Sequence, residues 1–137
     1  MQLFLKLRIG VNWHRSRIDS NNIIHNITFT DANTGYVSGF NGTLYKTSDK
    51  GVSWKKYSIN KESYNFSMFF INNNTGYISG GSSEKGYIMK TDDGGESWRI
   101  QFSKSDPLHS IFFINNLTGF SVGRGGTILK TTTSGEY

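Results

Sequence analysis

Three histidines, ten acidic residues and no cysteine are the chain's stock of proton-transfer and metal-binding groups. Without cysteine there is no thiol nucleophile, no thiolate metal site and no disulfide framework. His14, His25 and His109 are too scattered for a metal motif, so no metal or cofactor is expected. Glu62, Glu84 and Asp106 fall between apolar stretches, where loops are expected. No fixed spacing pairs them, and cleaving a glycosidic bond needs two carboxyl groups about 5–10 Å apart. The glycine-rich GRGGT at 123–127 leads into a strand pattern, whereas a phosphate-cradling loop leads into a helix. One relation among these groups is regular. His25 and His109 each stand four residues before a recurring phenylalanine, and Phe66 takes that place between them. Such a pair could line one mouth of a channel.

The most specific pattern makes turns. Thr47–Trp54 reads TSDKGVSW and Thr91–Trp98 reads TDDGGESW. Asp49 and Asp93 can accept hydrogen bonds from backbone N–H groups just after them and hold a tight turn. Gly51 and Gly95 can take φ > 0 without steric cost. Trp54 and Trp98 then begin strands and carry large apolar surfaces into a core. These eight residues, Thr47, Asp49, Gly51, Trp54, Thr91, Asp93, Gly95 and Trp98, are expected to be structural.

Those turns sit inside a longer repeat. Thr-Gly pairs end at Gly35, Gly76 and Gly119, and each is followed by an aromatic residue: Tyr36, Tyr77 and Phe120. Phe29, Phe70 and Phe113 precede them in register, and Lys46, Lys90 and Lys130 follow. The phenylalanines and tyrosines are expected between neighbouring units. The lysines are expected to be solvated, with their stems on the sheet. A period of about 40–45 residues is that of one β-propeller blade. Each repeat reads as four short strands, and no stretch has a helical period. With 137 residues, sixteen glycines, one proline and 15% aromatics, the chain is expected to be all-β and one domain's worth.

The third repeat has Thr133 where the others have aspartate, and it stops at Tyr137, one residue before the expected tryptophan. GVNW at 10–13 echoes the missing part. The expected organisation is therefore an orphan outer strand within 1–18, blades at 19–58 and 59–102, and an incomplete blade at 103–137. An N-terminal strand that completes a C-terminal blade hides both edges. Three blades are too few for a ring of about 4–8. The chain is expected to be either half of a two-chain, six-bladed ring, with terminal strands exchanged in a homodimer, or a piece of a larger propeller.

The repeats resemble the Asp-box, or BNR, repeats of β-propellers, which include sialidases and the sortilin luminal domain. They are most similar to photosystem II stability/assembly factor-like proteins. The matching positions are Phe29, Asp31, Gly35, Tyr36, Gly39, Gly42, Leu44, Thr47, Asp49, Gly51 and Trp54 in the first repeat. Phe70, Asn72, Gly76, Tyr77, Gly80, Gly86, Ile88, Thr91, Asp93, Gly95 and Trp98 match in the second. The resemblance implies a non-catalytic scaffold for protein–protein interaction, bound in photosynthetic organisms to a photosystem II subunit. A glycan-binding or sialidase-like glycoside hydrolase is the alternative. That chemistry uses an arginine triad, and only Arg124 lies in a loop near the expected functional face.

A net charge of +5 without a run of basic residues indicates a solvated basic surface, and no nucleic-acid partner is expected. Leu3–Leu5 is cut short by Lys6 and Arg8, so neither a signal peptide nor a membrane span is expected within the chain. Contacts with a protein partner are expected on the loops where the repeats differ most. Tyr64, Lys85, His109 and Arg124 are the candidates, tyrosine and arginine being frequent interface anchors.

Overall fold

The computed structural model describes residues 12–19, 21–59 and 64–136. Gly10, Val11, Lys61, Glu62 and Tyr137, on which parts of the sequence reading rest, lie outside them. The described residues form eleven strands in three antiparallel sheets. The first sheet is β1 (Ile24–Phe29), β2 (Gly35–Gly39), β3 (Thr43–Thr47) and β4 (Lys55–Ser58). The second is β5 (Tyr64–Phe70), β6 (Gly76–Gly81), β7 (Gly86–Thr91) and β8 (Arg99–Lys104). The third is β9 (Leu108–Phe113), β10 (Gly119–Gly123) and β11 (Ile128–Thr131). Each is a meander with its strands in chain order. Apart from a 3₁₀ turn at Arg124–Gly126, no helix occurs among the described residues.

Side-chain chemistry sets the turns. Asp31 Oδ1 accepts from the N–H groups of Asn33 and Thr34, both at 2.7 Å. Asn72 and Asn115 repeat that turn in the other two sheets. At the other hairpin Asp93 Oδ1 accepts from Ser97 N at 2.9 Å, and Thr91 Oγ1 accepts from Gly95 N at 2.9 Å. Trp98 Nε1 donates to the Gly95 carbonyl at 3.1 Å. Asp49, Ser53, Thr47, Gly51 and Trp54 make the same set. Gly51 and Gly95 sit at φ 84° and 85°, the left-handed region that disfavours a β-carbon.

The core lies between the sheets. Tyr36 of the first stacks on Phe70 of the second at 4.3 Å, and Tyr77 of the second stacks on Phe113 of the third at 4.1 Å. Tyr36 Oη donates to the Gly94 carbonyl at 2.8 Å, and Tyr77 Oη donates to that of Ser134 at 3.0 Å. Each phenylalanine ring also lies flat on a glycine of its own sheet. A β-carbon at Gly76 would stand 2.5 Å from Phe70, and one at Gly119 would stand 2.6 Å from Phe113. The Thr-Gly pair is thus a packing requirement as well as a turn.

Three expectations change. First, Trp13–Ile18 forms no strand, and Trp13 is 100% exposed. The third sheet has three strands among the described residues. Second, Phe29 does not pack between sheets. It is 46% exposed, because no sheet among the described residues covers it. Third, Lys46 and Lys90 are not simply solvated. Lys46 Nζ pairs with Glu96 at 3.0 Å, and Lys90, 6% exposed, pairs with Glu136 at 2.7 Å. Each ammonium lies over the tyrosine of its own sheet and reaches an acid on the next. Trp54 and Trp98 are half-buried, and Trp98 packs against the core between the first two sheets, as expected.

Candidate functional site

Antiparallel meanders put the β2–β3, β6–β7 and β10–β11 loops at one end of the sheets, together with the starts of β1, β5 and β9. The Asp-box turns fall at the other end. At the first end every inner strand carries a register break. Pairing of β1 with β2 skips from Ile24 to Asn26, that of β5 with β6 from Asn65 to Ser67, and that of β9 with β10 from Leu108 to Ser110. The skipped residues are His25, Phe66 and His109. A β-bulge leaves its extra residue unpaired and re-aims its side chain, which is why bulges concentrate at functional rims.

The three re-aimed rings form a row. Phe66 lies 6.3 Å from His25 and 4.8 Å from His109. Phe40, from the β2–β3 loop, sits 4.4 Å from His25 and 4.5 Å from Tyr64. Tyr64 in turn is 5.8 Å from Phe66. Both histidines are exposed and Tyr64 is 39% exposed, so the row presents ring faces and edges to solvent.

Below the row the platform is fixed by a buried hydrogen-bond group. Tyr87 Oη donates to Asn65 Oδ1 at 2.6 Å and lies 2.9 Å from the Tyr64 carbonyl. Asn65, fully buried, also donates to the Thr43 carbonyl of the first sheet at 3.5 Å. A buried amide satisfied from two sheets holds both in one register.

The fold therefore brings Tyr64 and His109 together. Lys85 and Arg124 stand apart from the row, each exposed on its own loop. Ser82 N donates to the Lys85 carbonyl at 2.8 Å, closing the loop of the second sheet. Arg124 N donates to the Pro107 carbonyl at 3.1 Å, tying the β10–β11 loop to the start of β9. Phe40 escapes sequence reasoning because its place in the first repeat has no aromatic counterpart in the other two. Phe66 stands in register with the histidines, which the sequence does show. The Glu96 and Glu136 partners of the lysines were also legible, as Gly-Glu pairs in register after Gly95 and Gly135.

At the opposite end Asp49 and Asp93 are held ionised. Hydrogen bonds from the Ser53 and Ser97 hydroxyls, then from their N–H groups, then from Thr47 and Thr91, pull each carboxyl down to about 2. Near neutral pH such groups have no proton to give. Among the described residues no cluster of His, Asp or Glu could hold a metal ion, and no helix is long and apolar enough to cross a membrane.

Comparison with known proteins follows this geometry. The family model described as Photosynthesis system II assembly factor YCF48 matches residues 7–107. The solved structure of YCF48 bound to D1 peptide is 25% identical, with a TM-score of 0.74 over 85% of this chain and 39% of that one. YCF48 from Cyanidioschyzon merolae superposes with a TM-score of 0.75 at 16% identity, over 88% of this chain and 40% of that one. The chain thus spans about two fifths of the length of these solved relatives, and the second likeness concerns the fold alone. No curated protein matches the sequence.

Proposed function

Because the chain belongs to the Photosynthesis system II assembly factor YCF48 family, we infer that it is a non-catalytic scaffold that holds an extended segment of a protein partner. A segment of the D1 type, as seen on one relative, is the partner of choice. The observation that carries this reading is the row His25–Phe66–His109, presented by three equivalent bulges. Rings at a blade-to-blade interval offer apolar faces and imidazole N–H groups to successive side chains and carbonyls of an extended chain. Such rings lose little entropy on binding, since each has few rotatable bonds. Tyr64 adds a phenolic hydroxyl to the row, and Lys85 and Arg124 stand at the rim as cations for acidic side chains. The Asp-box carboxylates take no part, being consumed by their own turns.

Fluorescence anisotropy with labelled peptides that tile D1 tests this. One peptide is expected to bind, and Phe66→Ala with His109→Ala is expected to weaken it at least tenfold, with the melting curve retained. Central aromatic anchors carry about 2 kcal/mol or more each, and every 1.4 kcal/mol is about tenfold. Tyr64→Ala with Arg124→Ala is expected to give a smaller loss. Unchanged affinity in the Phe66/His109 variant removes this end of the molecule from the reading.

A further inference from the structure

Four of the rings at the rim close a circuit. His25 lies 4.4 Å from Phe40, Phe40 4.5 Å from Tyr64, Tyr64 5.8 Å from Phe66, and Phe66 6.3 Å from His25. The planes of successive rings are inclined by 50°, 59°, 40° and 53°. Between the sheets, by contrast, Tyr36 and Phe70 lie within 16° of parallel, and Tyr77 and Phe113 within 22°. A stacked pair covers its own faces, whereas tilted rings leave part of each face uncovered. His25 and Tyr64 are exposed, and Phe40 and Phe66 are half-buried.

The sequence builds this circuit once. Phe40 N–H donates to the Ile23 carbonyl at 3.0 Å, as Arg124 N–H does to that of Pro107. Phe40 therefore corresponds to Arg124, and Tyr64 to Ile23 and Pro107, so the third sheet has no such ring pair. The parts are held in place before any ligand arrives. Thr43 N–H donates to the Phe40 carbonyl at 3.2 Å, and Asn41 and Gly42, at φ 56° and 61°, make the tight turn between them. A β-carbon at Gly39 would overlap the Ile23 carbonyl oxygen, and one at Gly80 would overlap that of Tyr64. Glycine at both places lets the starts of β1 and β5 lie close to the neighbouring strand.

An aromatic face is negative and attracts a cation within about 6 Å of its centroid. The chain uses that attraction elsewhere: Lys46 Nζ stands 5.8 Å from the centre of the Tyr36 ring, and Lys90 Nζ 5.6 Å from that of Tyr77. Among the described residues no ammonium or guanidinium lies over the four rim rings. A charge seated above the centre of a circuit this small is within about 6 Å of every ring.

We propose that the His25–Phe40–Tyr64–Phe66 circuit is a site for an organic cation, the lysine ammonium or arginine guanidinium of an extended partner segment. At the solvent-facing rim the charged head keeps part of its hydration and needs no carboxylate, while its alkyl stem lies along the rings. The source of the cation rests on the function proposed above; the site itself rests on the rings.

The test takes the 137-residue chain and single blocked amino acids at about pH 8, where an imidazole is ordinarily neutral. Nα-acetyl-arginine amide and Nα-acetyl-lysine amide are titrated beside Nα-acetyl-norleucine amide, which has the stem without the charge, and the ring signals are followed by NMR. Both cations are expected to saturate the Phe40 and Tyr64 signals at a concentration about fivefold or more below that of norleucine. Phe40→Leu with Tyr64→Leu keeps the apolar bulk and is expected to erase the preference with the melting curve retained. Should that pair unfold, Phe40→Leu alone is read in the same way. Norleucine binding as tightly as the cations, no saturable shift with either cation, or a preference that survives the leucine variant overturns the proposal. D1 peptides that bind a chain indifferent to both cations would leave the peptide reading standing and remove this site. Cations that bind a chain indifferent to every D1 peptide would uphold the site and remove the peptide reading.

Discussion

The molecule carries one contact in two conditions. Between sheets it is complete: an aromatic stack, a tyrosine hydroxyl on a box carbonyl, and a lysine paired with the next sheet's glutamate. On the two outer faces the same positions have no neighbouring sheet among the described residues. Phe29 is exposed where Phe70 and Phe113 are covered, and Val52 stands where Glu96 and Glu136 accept the lysines. At the far end Phe120 lacks the hydroxyl of Tyr36 and Tyr77, and Lys130 makes no ion pair among the described residues. Identical sequence positions thus have different energetic meaning according to whether a neighbour is present. The difference also shows which parts of the contact are negotiable. The ring stack is offered at both outer faces, whereas the hydroxyl and the acid are given up there.

Paired substitutions separate the two conditions. The largest difference is expected for Phe113→Ala against Phe29→Ala in denaturant unfolding. Phe113 is 5% exposed and stacked on Tyr77, so its loss should cost about 3–5 kcal/mol, and Phe29→Ala should cost about 1 kcal/mol or less. Equal costs would mean that the outer faces are covered in solution. Lys90→Ala against Lys130→Ala comes next. Burial disfavours the Lys90 ammonium, yet its hydrogen bond to Glu136 holds it above the ordinary value. Removing it should cost about 1–3 kcal/mol, and Lys130→Ala about 0.5 kcal/mol or less.

The smallest effect is in acid. Asp49 and Asp93 are held near 2 in the folded chain, against 3.8 otherwise. The unfolded chain takes up their protons first. Their contribution is therefore complete above about pH 4 and lost as pH falls toward 2. Thr133, at the matching place in the third box, has no such dependence. Asp93→Asn should flatten the decline of the melting temperature over that interval, and an unchanged slope would deny the turn its electrostatic role.

Much of this was legible in the chain. The Thr-x-Asp-x-Gly-x-Ser-Trp spacing and the register of the phenylalanines specify the strands and the repeat, because turn chemistry and period-two patterning are local. The shared place of His25, Phe66 and His109 was also visible. Phe40 was not, since a loop residue reaches a site only through the fold. Neither was the burial of Lys90, which depends on an acid on the next sheet, nor the exposure of Phe29.

By itself, then, the sequence determined everything that a few consecutive residues can enforce: the Asx turns at Asp31, Asn72 and Asn115, the box hairpins, the glycines beneath the rings and the period. Tertiary structure alone decided which of the equivalent positions are interior and which are rim. It also decided that three bulges bring their rings into one row. The physical reason is that hydrogen bonds within a turn are settled by neighbours along the chain. Burial and side-chain direction are settled by neighbours in space, and those differ from one repeat to the next.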